Sequence, residues 1–151
     1  MYRNIRLFTI VIVLMLSACS LDKPANYYDE LRNLGSKQII EYYFNAWNEK
    51  QYEKMNAVLS DEMKTRTFAW ESVQYVSVIS NEQTDISNLP DTAKGLEEVD
   101  VYRVEISVKR NNNNATQEDK SVVLYYVGKK TNDSLWLIYE EKQQSNTRGL
   151  T

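Results

Sequence analysis

A single change of hydrophobic period limits what this chain can fold into. From residue 36 to about residue 64 the apolar side chains recur at helical spacing, and from residue 67 onward they alternate. Helices that come first and strands that follow imply an α+β domain, with the sheet burying one face against an amphipathic helix. The first firm element is "SKQIIEYYFNAWNEK", 36 to 50, with Ser36 as its expected N-cap. At 100° per residue Ile39, Ile40, Tyr43, Phe44, Ala46 and Trp47 share one arc, opposite Glu41, Asn45, Asn48 and Glu49. That is an amphipathic helix with an aromatic inner face. Residues 51 to 60 predict a second helix with Tyr52, Met55 and Leu59 inward, and Ser60 caps a short third helix ending at Lys64.

Four strands are expected after the switch, at 67–80, 99–110, 121–130 and 135–144. Pro90 and Gly95 mark 81–98 as loop, "NNNNATQED" (111–119) reads as a hairpin loop, and "TNDS" (131–134) as a tight turn. The third strand is apolar on both faces, with Val122, Leu124 and Tyr126 opposing Val123, Tyr125 and Val127. Only one face is needed by the helix, so the outer face is expected to meet a second copy or a protein partner.

The chain has 151 residues, enough for one core, and a formal net charge of −3. Its doublets Lys109-Arg110 and Lys129-Lys130 are expected beside turns, and no longer basic run occurs, so nucleic acid is not an expected partner. It has no histidine and one cysteine. Imidazole catalysis, imidazole metal sites, internal disulfides and CxxC chemistry are thereby excluded, and no metal or cofactor is implied.

That cysteine ends "MYRNIRLFTIVIVLMLSAC", which runs from charged Arg3 and Arg6 through an apolar stretch to small residues. The order is that of a secretory signal, and the apolar run is about half the roughly 20 residues a membrane span needs. Leu16-Ser17-Ala18-Cys19 resembles the bacterial lipobox. The resemblance implies signal-peptidase recognition through Leu16, Ser17 and Ala18, with a diacylglycerol on the Cys19 sulfur and Cys19 as the first mature residue. Two or three acyl chains at about 0.8 kcal/mol per buried methylene hold a protein stably on a membrane. Loss of residues 1–18 leaves 16 basic against 21 acidic residues, a net charge of −5. The expected division is a signal peptide at 1–18, a lipidated tether at 19–35, the α+β domain at 36–144 and a flexible tail at 145–151.

"IIEYYFNAWNEKQYEKMNAVLSDEMK", 39 to 64, and the closing "DSLWLIYEE", 133 to 141, resemble the nuclear transport factor 2-like superfamily, also called SnoaL-like or cystatin-like. Within it the chain is most similar to small domains of unknown function in lipoproteins of Gram-positive bacteria. The resemblance implies a curved four-stranded antiparallel sheet wrapped round the first helix as a cone, whose open end can hold a pocket. Enzymes of the superfamily place Asp, His or Tyr there, and no catalytic residue carries over onto this chain. The aromatic set is expected to serve mainly as core, and Tyr43, Trp47, Trp70 and Tyr102 are the expected wall of any pocket. Glu140 and Glu141, like Glu97, Glu98 and Asp100, read as solvated strand ends. The expectation is therefore a non-enzymatic protein, anchored through Cys19 to membrane lipid on the extracytoplasmic face, that binds a ligand or a protein. A small-molecule hydrolase, isomerase or dehydratase using the cone pocket, or an accessory subunit of an envelope complex, are the alternatives.

Overall fold

A computed structural model describes residues 27–66, 72–85, 88–112 and 115–144. Cys19 with Leu16, Ser17 and Ala18, the Trp70 position and the tail 145–151 lie outside the described residues. Among the described residues four helices precede the sheet: α1 (Tyr28–Leu31), α2 (Ser36–Asn48), α3 (Tyr52–Ala57) and α4 (Asp61–Lys64). Strands β1 (Val73–Gln83), β2 (Glu98–Asn112), β3 (Ala115–Lys129) and β4 (Leu137–Gln144) follow. They form one antiparallel meander in the order β1-β2-β3-β4. The fold is thus α+β with helices before a four-stranded antiparallel sheet.

The core lies between α2 and the inner face of the sheet. Ile39, Ile40, Tyr43 and Phe44 of α2 pack there with Val76, Val104, Tyr125, Val127 and Ile138. Leu31 of α1 is only 1% exposed and joins this core. The N-cap of α2 is Gly35 rather than Ser36: the Gly35 N–H donates to Gln38 Oε1 at 2.8 Å. Ser36 instead turns inward, donating to Asp100 Oδ2 and sharing a 2.8 Å hydrogen bond with the Tyr102 hydroxyl. Ser60 does cap α4, accepting from the Met63 N–H at 3.3 Å.

The end of α2 governs how the sheet begins. The Lys50 N–H donates to the Trp47 carbonyl and the Gln51 N–H to the Ala46 carbonyl, with Lys50 at φ 59°. This is the turn that usually carries glycine, because its left-handed conformation crowds a Cβ. Lysine gains something there that glycine cannot supply: its Nζ donates to the Val73 carbonyl at 2.6 Å. The Asn48 side chain both donates to the Val76 carbonyl and accepts from the Val76 N–H, each at 2.8 Å. Together they cover backbone groups at the start of edge strand β1 that would otherwise invite another strand. At the other edge, Ile138 of β4 exchanges hydrogen bonds with Val58 and Ser60.

The hairpin between β2 and β3 is far tighter than the expected loop at 111–119. Pairing runs from Glu98↔Lys129 out to Asn112↔Ala115. Lys109 and Arg110 accordingly lie within β2 rather than beside a turn.

On the outer face Val101, Val122, Tyr126 and Tyr139 are buried, and so is Ala93 in a 3₁₀ turn at Asp91–Ala93 that packs against β4. Part of the apolar outer face is therefore covered within the chain. The contact is fastened by Glu140, which is 9% exposed. Arg66 donates to both its oxygens at 2.9 Å, and the Thr92 hydroxyl donates to Oε2 at 3.0 Å. The expected solvated strand end is a clamp. Burial raises the Glu140 carboxyl pKa, but the hydrogen bonds from Arg66 and Thr92 outweigh it and the net shift is downward. Arg66→Ala, which strands a desolvated carboxylate, is expected to cost about 1–2 kcal/mol in urea unfolding at neutral pH. The figure is held down because the Arg66 side chain is 39% exposed and water screens it. The clamp's contribution is complete above the carboxylate's unfolded-state pKa and is lost as pH falls through the lowered native value. Equal stability losses at neutral and strongly acidic pH would contradict this role.

Candidate functional site

A cavity of about 370 Å³ lies between the C-terminal half of α2 and the inner face of the sheet. Tyr43 and Trp47 line it from the helix, and Ile106, Val108, Val123 and Tyr125 from the middle strands. Its polar groups are Arg110 of β2, Ser121 of β3, and Glu141 and Gln143 of β4. Gln143 is exposed and marks the rim, whereas Glu141 is half-buried.

The aromatic floor is braced by edge contacts. Tyr43 meets Trp47 at 5.8 Å and 65°, Phe44 at 5.3 Å and 73°, and Tyr125 at 6.2 Å and 56°. Phe44 stacks on Trp47 at 6.1 Å and 9°. Positive ring edges against negative faces fix such rings in place. The Trp47 indole N–H is buried without a hydrogen-bond partner among the described residues.

Glu141 is the distinctive group. Burial raises its carboxyl pKa, with the neighbouring Glu140 charge adding to the rise, while Arg66 and a hydrogen bond from Tyr125 act in the opposite direction. Burial also pushes the Tyr125 phenol well above its usual range. Glu140 and Glu141 thus project from opposite faces of β4 into different settings. One is an ion-paired clamp, and the other is an acid in a partly dry cavity. Such a carboxyl can accept hydrogen bonds when ionised and donate one when protonated.

Of the expected pocket wall, Tyr43 and Trp47 line this cavity. Tyr102 does not: it is 4% exposed in the core and tied to Ser36, towards the opposite end of β2 from Arg110. Trp70 lies outside the described residues. Ser121 and Gln143 carry no signal for this role in the sequence, Arg110 reads there only as part of a basic doublet, and Glu141, expected as a solvated strand end, is half-buried in the cavity instead.

A second hollow of about 380 Å³ runs past Asp61, Glu62, Asp91, Lys94 and Lys130. Its charges are exposed, and Lys94 already pairs with Asp91 at 2.6 Å. Solvated pairs of this kind define no ligand, so the aromatic cavity is the candidate. Among the described residues no group of three or more acidic or cysteine side chains could hold a metal ion, and no helix is long and apolar enough to cross a membrane.

Residues 37–141, which take in every cavity-lining residue but Gln143, match a family described as a domain of unknown function, DUF4829. The chain belongs to the DUF4829 family. No curated protein matches it. The DUF4829 domain therefore takes its functional reading from its own residues, and the cavity with Glu141 is where its chemistry concentrates.

Proposed function

We propose that this DUF4829 protein is a lipid-anchored extracytoplasmic protein whose domain holds a small ligand in the cavity between α2 and the sheet. The observation that carries the binding part is the cavity itself, with its braced aromatic floor, polar rim and one half-buried carboxylate. A concave, mainly apolar site with a few convergent polar groups is what small molecules occupy. The anchoring part is supported by the Leu16-Ser17-Ala18-Cys19 sequence behind an apolar run too short to span a bilayer. Helices before a meander, with a cavity at one end of the helix–sheet interface, also favour the nuclear transport factor 2-like reading of the fold, with the sheet as a cone.

Cys19→Ala is expected to abolish incorporation of radiolabelled fatty acid and to leave a larger, unprocessed precursor. Unchanged labelling would overturn the anchor.

One observation favours a second reading, a small-molecule enzyme. Glu141 combines a cavity position, a raised pKa and a Tyr125 neighbour, the setting in which carboxylates act as general acids or bases. If the ligand recovered after prolonged incubation with the protein is chemically unchanged by mass spectrometry, that reading fails. A second copy or a protein partner on the outer sheet face is the lesser proposal. Its support is Tyr75, exposed on β1 and paired with Lys109 on the outer face, because Val122 and Tyr126 are buried and Val78 pairs with Ile106 of the inner face. A monomer in sedimentation with no crosslinked partner would remove it.

A further inference from the structure

The polar groups of the cavity restrict the chemical class of its ligand, an inference that rests on the ligand-binding reading above. Glu141 and Arg110 are the two formally charged residues in the lining, and they cancel. Each also has an opposite charge outside the lining: Asp119 lies 3.8 Å from the Arg110 Nε, and Glu141 lies in the field of Arg66. A ligand with a single net charge of either sign would be matched by one of these residues and opposed by the other. A long hydrocarbon chain fits no better, because it would take water from Glu141 and Gln143 and return no hydrogen bond. The surface asks for a neutral molecule with many hydroxyls.

Its geometry narrows this further. Carboxylate, carboxamide and guanidinium are planar groups, each presenting two polar atoms side by side. Glu141 and Gln143 sit two residues apart on β4, opposite Tyr125 and Val123 of β3, so both face the cavity. Planar pairs of this kind match the two oxygens of adjacent hydroxyls, donating to one and accepting from the other. Tyr43 is 1% exposed and forms the floor, so half-buried Trp47 supplies the apolar ring face against which the C–H face of a saturated ring can lie. About 370 Å³ falls within the range of small-molecule sites and holds one or two saturated rings.

We propose that the cavity takes a neutral cyclic polyol of one or two sugar rings, its ring face on Trp47 and its hydroxyls on Glu141 and Gln143. The test is calorimetry and saturation-transfer NMR on the full chain in a non-glycosidic detergent. Maltose and cellobiose are the polyol probes, choline the cationic probe and decanoate the chain-like anionic probe. A disaccharide is expected to bind while choline and decanoate do not. Gln143→Ala alters only an exposed rim residue and is expected to weaken binding roughly tenfold. Trp47→Ala is expected to abolish it. Binding of choline or decanoate in place of the disaccharides overturns the ligand class and leaves the cavity reading standing. Disaccharide binding indifferent to both substitutions overturns the site. Binding of no probe overturns the polyol class if the Glu141 carboxyl still titrates high, and the cavity reading as well if it does not.

Discussion

Phe44→Ala is expected to remove about 3–5 kcal/mol of stability, a large share of the 5–15 kcal/mol that holds an ordinary domain together. Phe44 is 2% exposed and sits where α2 meets the sheet. Its ring stacks on Trp47 and meets Tyr125 edge-on at 5.7 Å and 83°. Removing it forfeits the transfer energy of a large side chain and leaves a void that stiff aromatic neighbours cannot close. Phe44→Leu keeps most of the volume and is expected to lose about 1 kcal/mol. Urea unfolding followed by far-ultraviolet circular dichroism measures both. A loss below 1 kcal/mol for the alanine variant would mean that the aromatic cluster is not the core.

Gly128→Ala is expected to cost about 2–3 kcal/mol, although it adds a single methyl. Gly128 lies in β3 opposite Val99. An added Cβ would stand 2.8 Å from the Glu98 carbonyl oxygen and 2.6 Å from Leu96 Cδ1. The leucine can turn away, but the carbonyl belongs to β2, and moving it strains the β2–β3 ladder. The cause is space rather than backbone conformation, since Gly95 is the described glycine with positive φ. Gly35→Ala meets Gln38 Oε1 at an ordinary 3.6 Å and is expected to stay within about 1 kcal/mol of wild type. Equal thermal shifts for the two variants would refute the close-approach argument.

The helical half was legible in the sequence because its apolar spacing is regular. Of the inner arc of α2, Ile39, Ile40, Tyr43, Phe44 and Ala46 are buried and Trp47 is half-buried, and the Ser60 cap follows from local chemistry alone. The site was not legible, and β4 shows why. Strict alternation places Ile138 with Glu140 and opposes both to Glu141. The β3–β4 pairing instead slips between Tyr126↔Glu140 and Val127↔Ile138. That extra residue brings Ile138 and Glu141 onto the inner face and turns Glu140 outward to Arg66. A bulge leaves no mark in hydrophobic period when the residues around it are charged. Gln143 and Ser121 were hidden for a related reason: polar residues at the open end of a sheet look like solvated ends until a cavity is found beneath them.

The central claim is that Glu141 stands in a partly dry cavity against Trp47 and Tyr125, and its titration tests that directly. The measurement is carbon-detected NMR of the glutamate carboxyls through a pH series, with Glu141→Gln to assign the resonance. The account predicts that Glu141 keeps its proton to higher pH than the exposed glutamates, while Glu140 loses its proton at lower pH. It also predicts the stability signature. Because the native Glu141 carboxyl holds its proton where the unfolded one has released it, its contribution falls as pH rises from the unfolded value through the raised native value. Glu141→Gln removes that slope. A Glu141 resonance that titrates together with the exposed glutamates, and a variant with the same pH dependence as wild type, would contradict the account.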